Sequence, residues 1–330
     1  MVTGCSGFIG CWVGRRLADE GHEVAGLDRA EPPNEFKGQS FCGCDILDAE
    51  ALRSVMRKCR PDAVIHLAAR TDLNEKHDIG GYAANIDGVR NVIEAVRHTP
   101  SIRRAIFTSS QLVCQVGHVP TEMEEYYPNT LYGQSKVLTE RIVKDADGGG
   151  VEWCIVRPTT VWGPGMGPHY QRMLALIKEG RYFHCGRGKL RKSYSYVGNI
   201  AHQYLKLLAS PSETVNRHTF YLADYEPLSL RDYASDLARE LGAKPIPTVP
   251  ILIARALGLV GDVLGVIRGR GFPFNSFRLN NILTEYVFDL TPTQRVCGHL
   301  PFTYQQGVHE TAAWYLAARA IPKGPGSASG

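Results

Sequence analysis

Short apolar runs and amphipathic stretches follow one another in strict turn through the first half of this 330-residue chain. Strand-like composition is found at 22–28, 40–46, 62–69, 103–110 and 151–158. Helical periodicity is found between these runs, at 48–59, 83–98 and 132–147. Strands that alternate with helices are joined by right-handed crossovers, which give a parallel sheet covered on both faces. The sequence therefore predicts an α/β fold with a doubly wound parallel sheet of the Rossmann type.

The strict alternation ends after residue 158. A helix is predicted near 168–179, and the stretch YSYVGNIAHQYLKLL indicates a strand followed by a helix. We expect that stretch and a strand at 219–223 to return to the first domain. The predicted division is a nucleotide-binding domain at 1–165 with returning segments at about 192–223, a smaller mixed α/β substrate-binding domain at 166–191 and 224–320, and a flexible tail at 321–330. Ligands of such sheets bind beyond the carboxyl ends of the strands, so we expect the site in the crevice between the two domains.

The composition is that of a globular protein, and the formal net charge of +4 is small for this length. Lys and Arg are scattered among acidic residues, so no nucleic-acid partner is indicated. The nine Cys residues lack paired metal-ligand spacing, which favours free thiols in a reducing compartment and no metal site. The first motif already begins by Gly4 with no signal peptide before it, so we expect a cytoplasmic protein.

The most apolar stretch of the chain is ILIARALGLVGDVLGVI at 251–267. It is interrupted by Arg255 and Asp262 and is shorter than the roughly 20 residues that cross a bilayer, so no transmembrane segment is expected. We favour a helix that is buried in the second half of the chain or at a subunit contact. A helix on a membrane surface is the alternative.

A glycine-rich loop, VTGCSGFIG at 2–10, places Gly4, Gly7 and Gly10 before a helix that should begin near Phe8. Such glycines allow the backbone to approach a pyrophosphate, whose charge the helix N-terminus favours, although structural glycines in a turn would give the same pattern. Asp28 ends the next predicted strand, where its carboxylate could accept hydrogen bonds from both ribose hydroxyls and would repel a 2′-phosphate. The spacing predicts NAD in preference to NADP, although the neighbouring Arg29 weakens that preference.

A hydroxyl, a phenol and an ammonium group follow in the order that proton-transfer chemistry requires. Ser110 ends the strand AIFTSS, and Tyr132 and Lys136 lie four positions apart on one face of the predicted helix. A nearby ammonium group favours the phenolate form of a tyrosine, whose ordinary pKa is about 10. We therefore predict Tyr132 as the general base, Lys136 as the group that tunes it and binds the cofactor ribose, and Ser110 as the group that binds the substrate oxygen.

Several motifs occur together in one order: TGCSGFIG, CDILD, IHLAA, FTSS, YGQSK, VRPTTVWGPG and YSYVGNIA. In this order and spacing the chain resembles the extended short-chain dehydrogenase/reductases of the NAD-dependent epimerase/dehydratase family, over nearly its whole length. The resemblance implies NAD as the cofactor and a homodimer formed through the helices at 83–98 and 132–147. It implies cofactor contacts from Gly4, Gly7, Phe8, Ile9, Gly10, Asp28, Arg29, Asp45, Ile46, Leu67, Ala68, Ala69, Tyr132, Lys136 and Pro158.

The same resemblance implies where a substrate binds. Lys192 and Arg278 are the candidates for holding the diphosphate of a sugar nucleotide, and Gln111 and Thr160 are further substrate-binding candidates. Dehydratases of the family carry an acidic pair directly after the strand-end hydroxyl, whereas this chain has Gln111 and Leu112 there. Many members read VYG where this chain reads VCQ, so the pocket wall differs at Cys114.

The sequence therefore predicts a nucleotide-sugar epimerase that acts on C4 of a UDP-hexose through a transient 4-keto intermediate. One alternative is an NAD-dependent dehydrogenase or reductase of a keto-sugar or of a 3β-hydroxysteroid or sterol. The other alternative, a non-catalytic NAD-sensing protein, conflicts with the intact Ser110, Tyr132 and Lys136.

Overall fold

The computed structural model describes residues 1–33, 40–267 and 274–320. The predicted flexible tail at 321–330 lies outside these residues. The strands in the described part of the chain are β1 (Val2–Thr3), β2 (Ala25–Asp28), β3 (Ser40–Gly43), β4 (Ala63–His66), β5 (Arg104–Thr108), β6 (Glu152–Pro158), β7 (Thr160–Trp162), β8 (His184–Cys185), β9 (Arg191–Lys192), β10 (Tyr194–Tyr196), β11 (His218–Leu222), β12 (Leu228–Ser229) and β13 (Thr248–Val249).

Seven of these strands form one parallel sheet in the order β3-β2-β1-β4-β5-β6-β11. The two-residue β1 is an inner strand and pairs with both neighbours, Val2 opposite Gly26 of β2 and opposite Ile65 of β4. The inner strands are apolar on both faces because helices cover both, as the fully buried Val64 and Ile106 show. The predicted doubly wound Rossmann sheet is confirmed. Its strand order reverses between β1 and β4, the place where such sheets bind nucleotides.

The helices among the described residues are α1 (Phe8–Asp19), α2 (Ala49–Cys59), α3 (Ala83–Arg97), α4 (Leu131–Asp145), α5 (Pro168–Lys178), α6 (Val197–Ala209), α7 (Ser212–Val215), α8 (Leu230–Glu240), α9 (Ile251–Ile267), α10 (Ser276–Leu283), α11 (Thr291–Cys297) and α12 (Tyr304–Ala320). Short 3-10 helices lie at Ile79–Tyr82, Gln111–Val113 and Asp147–Gly149. α2 shows the usual pattern of a covering helix. Asp48 caps its N-terminus by accepting a hydrogen bond from Ala51 N, and Leu52 and Met56 are fully buried one turn apart.

The chain forms two compact units. Among the described residues, the first contains 1–33, 40–161, 193–225 and 288–301, and the second contains 162–192, 226–267, 274–287 and 302–320. The segment 288–301 differs from the expected division, which assigned it to the second domain. It joins the first unit through α11, where Thr293 Oγ1 donates a hydrogen bond to Tyr221 O on β11 at 2.6 Å.

α9 is helical as predicted, but the interpretation that it is buried in the second half of the chain is wrong. Its buried residues are the small ones, Ala254, Gly258 and Gly261. Its large aliphatic side chains point outward, and Leu252 and Val266 are 74% and 83% exposed. Among the described residues, no helix combines the length and the apolar character that crossing a bilayer requires.

Candidate active site

The glycine loop lies between β1 and α1, and the backbone packs too tightly for a side chain at Gly4 and at Gly10. Gly4 has a φ of +72°, and a Cβ atom added there would lie 2.6 Å from the backbone N of Ala68. A Cβ atom at Gly10 would lie 2.0 Å from Gly4 O. Gly7 is the N-cap of α1, which begins at Phe8 and Ile9. A loop of this shape lets a pyrophosphate approach the backbone N–H groups at a helix N-terminus, so the residues fit a dinucleotide.

Asp28 is held beside this loop at the carboxyl end of β2. Its Oδ2 accepts a hydrogen bond from Ser6 N at 3.1 Å, and its Oδ1 accepts one from Arg29 N at 2.7 Å. Arg29 extends into solvent with its guanidinium 3.7 Å from Asp45 Oδ2. The structure therefore brings Asp28, Arg29 and Asp45 together next to the glycine loop.

The segment after β4 forms the opposite wall of the loop. Leu67 N donates to Thr3 O at 3.1 Å, and Ala68 N donates to Thr3 Oγ1 at 3.3 Å. Ala69 follows directly in this segment. The side chain of Ile46 is 5% exposed and packs on α3, where a Cβ at Gly88 would lie 2.5 Å from Ile46 Cδ1. The side chain of Ile46 therefore belongs to the core of the first unit.

Tyr132 and Lys136 lie on the buried face of α4. Thr130 fixes the start of this helix, since its Oγ1 accepts a hydrogen bond from Gly133 N at 3.0 Å. Tyr132 and Lys136 are 7% and 4% exposed, and Lys136 Nζ donates to Thr108 O at the end of β5, at 2.9 Å. Burial lowers the pKa of Lys136 to about 8, against the opposing effect of the Glu140 carboxylate. An ammonium group held in this way can stabilise a neighbouring phenolate.

Ser110 lies two residues beyond β5 and is the N-cap of the 3-10 helix Gln111–Val113. Its Oγ accepts a hydrogen bond from Leu112 N at 3.1 Å. The 3-10 helix packs against the start of α4 so closely that a Cβ at Gly133 would lie 2.3 Å from Leu112 O. This contact brings the backbone beside Ser110 together with the backbone beside Tyr132, at the carboxyl edge of the sheet.

Three further predicted residues lie in the same unit. Gln111 Nε2 donates to Thr160 Oγ1 at 3.2 Å, so the structure joins these two substrate-binding candidates. Pro158 ends β6, the strand next to β5, and is buried. Cys114 is the residue that departs from the family pattern. Its thiol donates a hydrogen bond to Glu125 O at 3.4 Å, and burial raises the pKa of the thiol.

A buried ion pair on the same face of α4 as Tyr132 and Lys136 was not predicted. Arg157 and Glu140 are both 0% exposed, with Arg157 Nε donating to Glu140 Oε1 and Nη2 donating to Oε2, each at 2.8 Å. The hydroxyl of Tyr126 donates to the same carboxylate at 2.9 Å. The pair ties α4 to the end of β6 one turn after Lys136. The i, i+4 spacing of Tyr132, Lys136 and Glu140 was the sequence feature that could have drawn attention to Glu140.

Asn85 of α3 is a second residue that sequence reasoning left without a role. Its Oδ1 accepts a hydrogen bond from Arg70 N at 2.8 Å, and its Nδ2 donates to Arg70 O and to Ser135 Oγ, each at 2.9 Å. Ser135 Oγ in turn donates to Tyr132 O at 2.7 Å. Asn85 therefore links the segment after β4 to the helix that carries Tyr132.

The two diphosphate candidates lie in the second unit and close to one another. Lys192 is 3% exposed, and its ammonium group donates to Asn281 O on α10. Burial lowers the pKa of Lys192 to about 8. Arg278 lies about one turn earlier on α10, and its pKa is lowered by burial and by the nearby charge of Arg172. These are cations with few charge partners, which is the property of a site for an anion.

No group of His, Cys, Asp and Glu side chains within residues 1–33, 40–267 and 274–320 has the arrangement of a metal site.

Comparison with known proteins connects this geometry to one family. The model of the NAD dependent epimerase/dehydratase family matches residues 1–223. An N-acetyl-alpha-D-glucosaminyl-diphospho-ditrans,octacis-undecaprenol 4-epimerase of Escherichia coli O157:H7 is 27% identical, over 94% of this chain and 93% of that protein. A 3 beta-hydroxysteroid dehydrogenase/Delta 5-->4-isomerase of Mycobacterium tuberculosis is 25% identical, over 96% of this chain and 90% of that protein.

Solved structures share the fold. The crystal structure of a Thermus thermophilus UDP-glucose 4-epimerase in complex with NAD superimposes with a TM-score of 0.70 at 21% identity, over 96% of this chain and 98% of that one.

Proposed function

The chain belongs to the NAD-dependent epimerase/dehydratase family, and from this premise we propose that it epimerises a nucleoside-diphosphate sugar. The substrate class that we propose is a UDP-hexose, with the reaction at C4 passing through a transient 4-keto sugar. The observation that carries the proposal is the buried pair on α4: Tyr132, with the ammonium group of Lys136 fixed one turn away on Thr108 O.

The enzyme is NAD-dependent, and the glycine loop, Asp28 and the segment 67–69 fit that cofactor. Bound NAD supplies a hydride acceptor that can return the hydride. The chain's own residues would supply the binding: backbone N–H groups near Gly7 would hold the pyrophosphate, and the Asp28 carboxylate would accept hydrogen bonds from the adenosine ribose. The same carboxylate repels a 2′-phosphate, which gives a preference for NAD over NADP.

The proton is handled by Tyr132, Lys136 and Ser110. The Tyr132 phenolate takes the proton of the C4 hydroxyl and gives it back when the alcohol re-forms. The Lys136 ammonium group favours the phenolate, because an opposite charge stabilises the ionised form in a buried site. Ser110 Oγ donates a hydrogen bond to the sugar oxygen and orients it toward the phenol.

The residues after Ser110 favour epimerisation over dehydration. Water elimination from a 4-keto sugar needs an acid and a base beside the neighbouring carbons. In this chain the first of those positions is Gln111, whose amide is bound to Thr160, and the second is the apolar Leu112. A 4-keto sugar would therefore persist until hydride returns to it.

The second unit supports a diphosphate-containing substrate. Lys192 is buried and Arg278 is half-buried near one helix, and neither forms an ion pair with a carboxylate among the described residues. The E. coli relative is named for a sugar joined through a diphosphate, and sugar nucleotides share this group. In our proposal, these two side chains bind the diphosphate and leave the hexose free to turn over.

A second candidate is a net dehydrogenase or reductase of a keto-sugar or a 3β-hydroxysteroid. The M. tuberculosis relative, matched over nearly the whole chain, favours it. The same Ser110, Tyr132 and Lys136 chemistry serves both reactions, so the difference lies in whether hydride returns to the molecule that gave it.

The proposal is tested by incubating the purified protein with a panel of UDP- and GDP-hexoses and a 3β-hydroxysteroid. Nuclear magnetic resonance reports the C4 configuration, and absorbance reports net NADH. We expect a C4 epimer of at least one UDP-hexose without stoichiometric NADH, and none from the matched Tyr132→Phe variant. Stoichiometric NADH would favour the dehydrogenase instead. A 6-deoxy-4-keto product would contradict the argument from Gln111 and Leu112.

A further inference from the structure

α9 has an apolar face that the described part of the protein does not cover. At about 100° per residue, its exposed aliphatic side chains span about half of the helix circumference. These side chains are Leu252, Ile253, Leu257, Leu259, Val260, Val263, Val266 and Ile267. An ordinary surface helix buries such side chains and exposes polar ones. On α9, by contrast, the aliphatic side chains are the exposed ones.

The orientation of α9 is fixed by its small residues. A Cβ at Gly261 would lie 1.9 Å from Phe274 O, so only glycine fits there, and a Cβ at Gly258 would already contact Ser276 at 3.4 Å. Asp262 Oδ1 also accepts a hydrogen bond from Ser276 N at 3.2 Å. The helix cannot rotate about its axis to bury the aliphatic face, because larger side chains would then collide with the backbone before α10.

Basic residues lie beside the first turn of this helix. A Cβ at Gly186 would lie 3.8 Å from Ile251 Cβ, so the loop that begins at Gly186 contacts the start of α9. The same loop carries Arg187 and Lys189, and both are exposed. Among the described residues, the second unit has 13 Lys and Arg against 8 Asp and Glu, whereas the first unit has 20 against 24. The apolar face therefore belongs to the basic part of the molecule.

We propose that α9 lies in the plane of an anionic phospholipid surface, with its aliphatic side chains among the acyl chains and Arg187 and Lys189 at the headgroups. Interfacial helices combine these two properties, apolar burial and attraction to anionic lipid. The 17 residues of α9 are too few to cross a bilayer, for which about 20 are needed, so the helix lies along the surface.

Two other occupants fit less well. A second copy of the chain would place two strongly basic units against each other, which like charges oppose. A protein partner would be expected to meet aromatic or arginine anchors in packed pockets, whereas the exposed arc consists of aliphatic side chains alone. A lipid surface needs no such complementarity. The proposal is independent of the reaction that the first unit catalyses.

The test is flotation of the full chain with vesicles of phosphatidylcholine alone and of phosphatidylcholine with about one-third phosphatidylglycerol. We expect binding to the anionic vesicles that weakens as salt is added, and much weaker binding to the neutral vesicles. Leu259→Ser/Val266→Ser should weaken binding about tenfold or more. Arg187→Ala/Lys189→Ala should weaken it several-fold.

The matched control is Leu73→Ser/Val119→Ser, one Leu and one Val that are exposed in the first unit. It should bind vesicles like the parent, and circular dichroism should show that all variants are folded. The proposal is overturned if the parent does not float with anionic vesicles, or if Leu259→Ser/Val266→Ser floats as well as the parent. It is also overturned if light scattering shows a dimer that only this variant loses, because a second copy would then be the occupant.

Discussion

α4 and α9 are helices of 15 and 17 residues, and both depart from the usual arrangement of a surface helix, but in opposite ways. α4 buries polar groups, among them Lys136 and Glu140. α9 exposes aliphatic groups and buries small ones. Burial of a charge is costly unless it is paired or hydrogen-bonded, and exposure of an apolar arc forgoes its burial energy. We therefore propose a function for each departure, chemistry at α4 and docking at α9.

The two helices also differ in whether other residues offset the energetic cost of their unusual burial. The charges of α4 are compensated within the first unit, by Thr108 O for Lys136 and by Arg157 for Glu140. The apolar arc of α9 has no such compensation among the described residues. Substitutions on α4 should consequently change activity and stability strongly, and those on α9 should change neither by much.

The largest effect is expected from Tyr132→Phe on α4. Turnover should fall by about 10²–10⁴-fold because the proton acceptor is lost, while NAD stays bound because the ring is kept. Steady-state rates measure the loss of turnover, and the cofactor content of the purified variant measures whether NAD stays bound. The same change at an exposed tyrosine, Tyr127→Phe, should leave the rate unchanged. A fully active Tyr132→Phe would remove α4 from the chemistry.

The next effect is one of stability. Glu140→Ala leaves the fully buried guanidinium of Arg157 without its partner, so the free energy of unfolding should fall by about 3–5 kcal/mol. Urea denaturation of the apo protein measures it. Glu94→Ala, which breaks the exposed pair with Arg97, is the control and should cost less than about 1 kcal/mol. Equal losses in the two variants would mean that burial at α4 has no special role.

Lys136 gives a pH-dependent effect. Its pKa is lowered from 10.5 to about 8 in the folded protein, so between these values the unfolded chain binds more protons. The stability of the parent relative to Lys136→Met should therefore rise with pH across this window, by about 3 kcal/mol in total. Denaturation of both proteins at pH 7.5 and pH 10, without added NAD, measures the difference. A difference that does not change with pH would contradict the buried ammonium.

The smallest effect is expected on α9. Val263→Ser/Val266→Ser removes two exposed aliphatic side chains, so the free energy of unfolding should change by no more than about 0.5 kcal/mol per site. Val92→Ser/Val96→Ser on α3 is the matched control at buried positions and should destabilise by several kcal/mol, about 2 or more per site. Comparable losses would show that α9 is packed against protein, contrary to the comparison above.

The sequence was sufficient for the sheet and the glycine loop because both depend on local pattern. Strand and helix alternate along the chain, and the spacing of Gly4, Gly7 and Gly10 sets the turn by itself. The predicted helices at 48–59, 83–98 and 132–147 each lie within two residues of α2, α3 and α4. The fold class, the family and NAD are confirmed, whereas the individual roles of the site residues and the homodimer through α3 and α4 stay predictions.

Features that depend on contacts distant in the sequence could not be predicted. The Glu140–Arg157 pair joins a helix to a strand, and Asn85 reaches Ser135 50 positions away. The orientation of α9 depends on which of its sides the backbone before α10 approaches. Composition indicated an apolar helix there, but an apolar helix is equally compatible with burial and with exposure.

The proposal to be tested is that hydride returns to the sugar that lost it, while Tyr132 and Lys136 of α4 handle the proton. The most direct measurement is turnover of a UDP-hexose deuterated at C4, on the enzyme with its NAD, followed by nuclear magnetic resonance of substrate and product. The account predicts that the C4 epimer keeps the deuterium at C4 and that no reduced cofactor accumulates. Loss of the deuterium to solvent, or its accumulation in released cofactor with a keto product, would contradict the account.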